Sequence, residues 1–385
     1  MALKIAERGQ VPAFIVMDVM QAAAAREKAG EDVLHLEVGQ PSTGAPTAVL
    51  AAAKATIEGD KMGYTLALGV PELRAAIAHH YQDWYSLNPG GDRIAVTTGS
   101  SSGFTLAFLA AFEVGDRVAL ASPGYPAYRN ILTALGIEVV DLLTGPEDRF
   151  QPTPALLASL DKPIDGLIIA SPANPTGTMI AEAEMATLVR YCDAEGIRLI
   201  SDEIYHGISF GAPAVSALAF SDNVIVINSF SKYFSMTGWR LGWMVLPADL
   251  VRPVECLAQN MFISAPTLSQ RAAIAAFGAT EELDQNVARY AHNRAILLNE
   301  LPAAGFTDLA PADGAFYIYA DVSAYTDDSA VFCRNMLQQI GIACTPGTDF
   351  DPSRGHRSLR FSFAGASEDM AEAARRLKTW IKTQL

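Results

Sequence analysis

With 385 residues, half of them hydrophobic and 18% charged, the chain carries enough apolar material to fold throughout, and it is longer than one core ordinarily supports, so two domains are predicted. A formal net charge of -14, from 42 acidic and 28 basic side chains, repels a polyphosphate backbone and argues against a nucleic-acid partner. No apolar run reaches membrane-spanning length, no apolar leader core follows Met1 to Gln10, and Cys192, Cys256, Cys333 and Cys344 are scattered without a CxxC pair, so the chain reads as cytoplasmic with reduced, buried thiols and no membrane partner.

In chain order, Phe14 to Lys28 is amphipathic and predicts a helix, and Val33 to Glu37 predicts a strand. Strand-length apolar runs then alternate with helical patterns, at Ile94 to Thr97, Arg117 to Ala121, Glu138 to Leu142, Gly166 to Ala170, Ile197 to Ser201, Val224 to Asn228 and Leu241 to Val245. Helices are predicted at Ser101 to Phe112, Glu182 to Ala194 and Pro266 to Gly278, with a long one at Glu281 to Leu301. Beyond it, Ala315 to Ala320, Ile342 to Thr345 and Ser358 to Phe363 read as strands, closed by a helix at Glu368 to Thr383. The fold class is therefore α/β. A large domain (residues 44–285) on a mainly parallel seven-stranded sheet wrapped by helices is joined by a smaller α+β domain built from both chain ends (residues 1–43 and 286–385).

Ligands of open parallel sheets bind beyond the carboxyl ends of the strands, so the polar residues that end these apolar runs are the candidates for chemistry. One run ends in SPANPTG with Asn174, one in DEIY with Asp202 and Tyr205, and one in SFSKYFSMTGWRLG with Ser229, Ser231, Lys232 and Arg240. Lys232 is the only lysine between Lys162 and Lys378 and sits among aromatic and apolar neighbours. Burial near Arg240 would lower its pKa toward the neutral amine that attacks carbonyls, although a lysine snorkelling from a loop has the same local sequence. Asp202 suits a pyridine nitrogen and equally suits a strand-end turn. The small residues of TTGSSSGF (Thr97 to Phe104) allow a phosphate to approach a helix N-terminus, as they also allow simple capping. His35, His79, His80 and His356 lack metal spacing, so no metal is predicted, and His206 reads as a residue at the pocket edge.

The ordered blocks LEVGQPSTGAP, YTLALGVPELRAAI, TTGSSSGF, SPGYPAY, SPANPTG, SDEIY, SFSKYFSMTGWRLG and LRFSFA span nearly the whole chain, and together they resemble the class I and II aminotransferases of pyridoxal-phosphate fold type I, on the aspartate aminotransferase-like branch. The resemblance implies pyridoxal 5′-phosphate as cofactor, with Lys232 as the lysine that bonds it and later shuttles a proton. It implies Asp202 on the pyridine nitrogen, Asn174 and Tyr205 on the phenolic oxygen, and Tyr125 stacked on the ring. Ser100, Ser101, Ser229 and Arg240 would hold the phosphate, with Ser231 beside them. Tyr64 would reach the phosphate from a second subunit, which implies a homodimer with shared sites. Arg360 would grip the substrate α-carboxylate with help from the Gly39 backbone, and Asn174 would join them at the substrate.

The implied reaction is ping-pong transfer of an amino group from an L-amino acid to a 2-oxo acid. The donor is left open between aspartate-like and neutral or aromatic, and the apolar stretch Pro12 to Met20 is of the kind that closes over substrate in such proteins. Two other outcomes stand beside transamination: C-S β-lyase or related chemistry on the same cofactor, and a ligand-sensing regulator on the same fold. The acidic balance, and a pattern that begins near the start of the chain, weigh against the regulator.

Overall fold

The structure is a computed structural model and describes residues 3–384; Met1, Ala2 and Leu385 lie outside it, including the first two residues of the segment read for a leader. Among the described residues the twelve strands are β1 (Leu34–His35), β2 (Ile94–Thr97), β3 (Arg117–Ser122), β4 (Glu138–Leu143), β5 (Gly166–Ala170), β6 (Arg198–Asp202), β7 (Ile225–Ser229), β8 (Gly242–Val245), β9 (Tyr317–Asp321), β10 (Ile342–Ala343), β11 (Thr345–Pro346) and β12 (Ser358–Ser362). Seven of them form one sheet in the order β2-β8-β7-β6-β5-β3-β4. Only β8 runs against its neighbours β2 and β7; the ladders from β7 through to β4 are parallel.

A parallel sheet covered on both faces needs apolar side chains at every position, and the period of two divides them between two cores. Val118, Leu120, Ile168, Ile200, Ile225 and Ile227 pack on one side with Phe104, Phe108, Tyr128 and Leu132 from the helices Gly99–Ala111 and Pro126–Leu135. The alternate residues Ala119, Leu167, Ile169, Leu199 and Val226 join the other core, with Leu73, Ile77, Met185 and Leu188 from the helices Pro71–Tyr85 and Glu182–Glu195. The fold is thus α/β, with a mainly parallel seven-stranded sheet wrapped by helices.

The 24-residue helix Thr280–Ala303 leads to a three-stranded antiparallel sheet, β11-β12-β9. The predicted strand over residues 342–345 is divided at Cys344: β10 pairs in parallel with β1, whereas β11 pairs with β12. The strand predicted over residues 33–37 shortens to β1 because its partner β10 is only two residues long. The helix Ile15–Lys28 packs Val19 and Ala23 against Leu337 and Ala343 of this region. The predicted helix over residues 266–278 is α-helical over Thr267–Ala273 and tightens to a 3-10 turn over Ile274–Gly278.

Ile227 is fully buried and lies directly across the β6–β7 ladder from Asp202. Ile227→Ala should destabilise the protein by about 2–5 kcal/mol, measured as a lowered midpoint of urea unfolding.

Candidate active site

Five strands of the large sheet deliver polar residues beyond their carboxyl ends into one cavity of about 220 Å³. Ser100 and Ser101 follow β2, Tyr125 follows β3, Asn174 follows β5, Asp202 ends β6, and Ser231 and Lys232 follow β7. Tyr205, Arg240, Gly39, Tyr317 and Arg360 join them in the lining, with Gln40, Tyr128 and Thr237.

Asp202 shares its face of the sheet with Ile200, so its side chain points toward the helix Pro126–Leu135, and there the Tyr128 hydroxyl donates to its Oδ2. The Ile204 amide donates to Oδ1 at 3.1 Å. Only 3% of Asp202 is exposed, and burial raises its pKa to about 6 against the opposing effects of those two donors and Lys232.

Lys232 rides on a loop that is anchored on both sides by buried aromatics. Phe230 packs at 5.0 Å from Trp243 and 5.1 Å from Phe234, and the Tyr233 hydroxyl donates to Asp284 at 2.8 Å. The amine is thereby held in the cavity, where Nζ donates to the Gly39 carbonyl at 2.6 Å. Burial, followed by the positive charge of Arg360, lowers its pKa to about 8.

Two glycines are fixed by close approach. A Cβ on Gly39 would collide with the Tyr317 hydroxyl and ring, and one on Gly99, whose φ is +71°, would be strained and would meet the Arg240 guanidinium. Gly99 opens the helix Gly99–Ala111, and Thr98 before it provides no side-chain cap, so the first turn, whose Ser100 and Ser101 line the cavity with Arg240, keeps amides without a capping acceptor.

Arg360 is 3% exposed. It donates through Nη1 to Asn174 Oδ1 at 2.7 Å and through Nη2 to Thr345 Oγ1 at 3.2 Å and to the Glu37 carbonyl, while its guanidinium lies 4.3 Å from the Tyr317 ring centre. Its Nε has no partner, so the group retains a donor for an anion.

The remaining sequence candidates are placed differently. Ser229 stands behind the cavity wall, 1% exposed; its oxygen accepts from the Ser231 amide at 3.0 Å, and its proton lies between Ser231 Oγ and the Leu241 carbonyl. Tyr205 is hydrogen-bonded to Tyr317 at 2.7 Å. Tyr64 is 85% exposed and outside the cavity of its own chain. His206 is no pocket-edge residue: it is buried, with Nδ1 bonded to the Tyr85 hydroxyl at 2.7 Å and Nε2 to the Ser171 carbonyl at 3.0 Å, and burial lowers its pKa to about 3. Cys256 is only partly buried, unlike the other three thiols. Among the described residues no cluster of metal-ligating side chains occurs.

Sequence reasoning missed Tyr128 and Tyr317. Tyr128 was legible as the residue three positions after Tyr125, in the first turn of the helix that Tyr125 precedes and hence close to it. Tyr317 carried no such signal, because only the approach of β9 to Gly39 brings it in.

Residues 31–377 match the family described as aminotransferase class I and II. The chain belongs to that family. It is similar to a valine–pyruvate aminotransferase from Mycobacterium tuberculosis, at 54% identity over 99% of each chain. It also resembles the crystal structure of an aminotransferase from Mycobacterium tuberculosis, at 53% identity and a TM-score of 0.98 over 99% of this chain and all of that one. An aspartate aminotransferase from Thermus thermophilus with maleate matches at 28% identity and a TM-score of 0.92, over 98% of this chain and all of that one. The chain is thus an aminotransferase of the pyridoxal-phosphate fold type I, and membership implies pyridoxal phosphate as the cofactor.

The residues present fit that group. A buried carboxylate, an amine with a lowered pKa, and a glycine cradle that combines helix amides with an arginine converge on one cavity. Because the amine becomes neutral as pH rises through about 8, capture of added pyridoxal phosphate by the cofactor-free protein should accelerate ~tenfold per pH unit below 8 and level off above it. Stopped-flow absorbance between pH 6.5 and 9.5 measures this; a rise that continues unchanged beyond pH 9 would mean an ordinary lysine.

Proposed function

We propose that this aminotransferase moves the amino group of a neutral, apolar L-amino acid such as valine to a 2-oxo acid such as pyruvate, using pyridoxal 5′-phosphate. The observation that carries this reading is the chemistry of the cavity wall. Phe14, Val16, Met17, Met20, Val38 and Ile131 line it, and Lys232, Arg240 and Arg360 are its only cations among the described residues. All three have tasks in this reading, so the chain itself offers no cation to a side-chain carboxylate. The name of the 54% identical relative points to the same substrates.

Pyridoxal phosphate supplies an aldehyde that bonds amines and a ring that withdraws electrons from a breaking Cα–H bond. Asp202 would keep the ring nitrogen protonated, Tyr125 would stack on the ring face, and Asn174 and Tyr205 would hold the phenolic oxygen. Ser100, Ser101, Ser231 and Arg240 would take the phosphate, with Ser229 holding Ser231 in place. Arg360, with its free Nε, would bind the substrate α-carboxylate beside Gly39. Lys232, nearly poised at neutral pH, would take the proton from the substrate Cα.

The working form in this proposal is a homodimer. Tyr64 is 85% exposed on a segment that also exposes Met62 and Leu66, which is the side chain presentation expected where a second copy covers it. The division into residues 44–285 and the two chain ends belongs to the same proposal, supported by the separate small sheets. So does a cytoplasmic role in amino-acid biosynthesis, the location being supported by four free cysteines.

Lys232→Ala should retain cofactor binding, lose the visible absorbance of the lysine-bonded cofactor, and lower turnover by about 10²- to 10⁴-fold; unchanged absorbance and turnover would remove Lys232 from the mechanism. In a donor panel with pyruvate as acceptor, valine should exceed aspartate in kcat/KM. The reverse order, or release of ammonia in place of a new amino acid, overturns the proposal.

A further inference from the structure

The apolar wall of the cavity is borrowed from the start of the chain. Phe14, Val16, Met17 and Met20 lie in or just before the helix Ile15–Lys28, and Phe14 meets Tyr125 edge to face with ring centres 5.7 Å apart. This helix has no cap of its own, because Phe14 at the capping position provides no side-chain acceptor. Its first two amides donate instead to a single carboxylate 333 and 334 residues further along: Ile15 N to Asp349 Oδ1 at 3.0 Å and Val16 N to Asp349 Oδ2 at 3.4 Å.

Asp349 is buried and does not line the cavity. The turn that carries it, Gly347–Asp349, is bound to the rest of the site at further points. The next residue, Phe350, accepts a hydrogen bond from the Gly124 amide at 3.0 Å, beside Tyr125, and its ring lies 4.8 Å from the Arg360 guanidinium. Asp351 then pairs with Arg354 at 2.9 Å, and Arg354 donates in turn to the Thr144 carbonyl at 3.0 Å, beyond β4 of the large sheet. One turn therefore touches the N-terminal helix, the loop of the stacking tyrosine and the carboxylate-binding arginine.

We propose that Asp349 is a positioning residue that seats the N-terminal helix over the substrate pocket, so that preference for an apolar donor depends on a carboxylate that never meets the substrate. The inference rests on the proposed donor class only for its kinetic arm. A negative charge at a helix N-terminus is favoured by the free amides and by the helix dipole, and this one fixes the entry point of the helix as well as its stability.

The test compares the wild-type holoenzyme with Asp349→Ala and Asp349→Asn. Three quantities are read: amide hydrogen exchange of residues 15–20, cofactor content, and the first half-reaction with valine and with alanine, followed by absorbance. In Asp349→Ala, exchange at residues 15–20 should accelerate and the rate constant at low valine should fall roughly two- to thirty-fold, the range of a lost helix cap. The loss should appear mainly in the half-saturating concentration, affect alanine less than valine, and leave cofactor content unchanged. Asp349→Asn keeps one acceptor and should fall between Asp349→Ala and the wild type, which also serves if the alanine variant does not fold. Unchanged exchange at residues 15–20, equal losses for both donors, or parallel loss of cofactor would overturn the proposal. Exchange needs no turnover, so a protein that ignores valine would sink the donor assignment while the seating of the helix is still decided.

Discussion

A carboxylate buried at the end of a parallel strand is the constraint around which this site is built. Asp202 sits where the alternation of β6 would otherwise place another isoleucine, and without compensation a buried charge there would cost several kcal/mol. Compensation comes from three directions: the Tyr128 hydroxyl, the Ile204 amide and the Lys232 amine. The same burial that raises the acid lowers the amine, so the two groups approach one another in pKa within a single cavity.

The rest of the architecture keeps those groups in register. Lys232 lies in a loop whose aromatic neighbours Phe230, Tyr233 and Phe234 are buried, so the loop can move only if a packed core moves with it. Glycine is favoured at position 39 by the approach of the Tyr317 ring and required at position 99 by a φ of +71°. Arg360 is pinned by Asn174 and Thr345 and flanked by the rings of Tyr317 and Phe350, which leaves its orientation little freedom and its Nε free for an anion.

The sheet was legible because buried parallel strands are short apolar runs with few alternative readings; β2 and β5 lie on the predicted residues, and the other five differ at their ends by one residue. The convergence of the strand ends was legible because ligands of such sheets meet the carboxyl ends of the strands, although each polar residue taken alone also suited a turn or cap. Residues joined by tertiary approach alone were not. Tyr317 enters through contact with Gly39, and Asp349 through the reach of a turn to a helix at the other end of the chain. The displacement of His206 has a related cause. Its place after Tyr205 suggested the pocket, but hydrogen bonds to Tyr85 and Ser171 draw it into the core, where burial keeps it neutral. The division of the strand at Cys344 was likewise invisible, because no turn residue interrupts Ile342 to Thr345 and only the different partners of the two halves separate them.

Under the proposed function, donor selection in this site follows from what its cations are already doing. An aspartate-like donor brings two carboxylates, and one arginine with a free Nε can serve the α-carboxylate but leaves the second to be desolvated against Phe14, Met17, Met20 and Ile131. Desolvating an unpaired carboxylate costs more than burying a branched aliphatic side chain returns, so the balance favours the apolar donor by electrostatic penalty as much as by hydrophobic gain. Methionine, unbranched and polarizable, lets such a wall adapt to side chains of different shape. In that proposal the wall discriminates by excluding charge, for as long as Asp349 seats the helix that carries it.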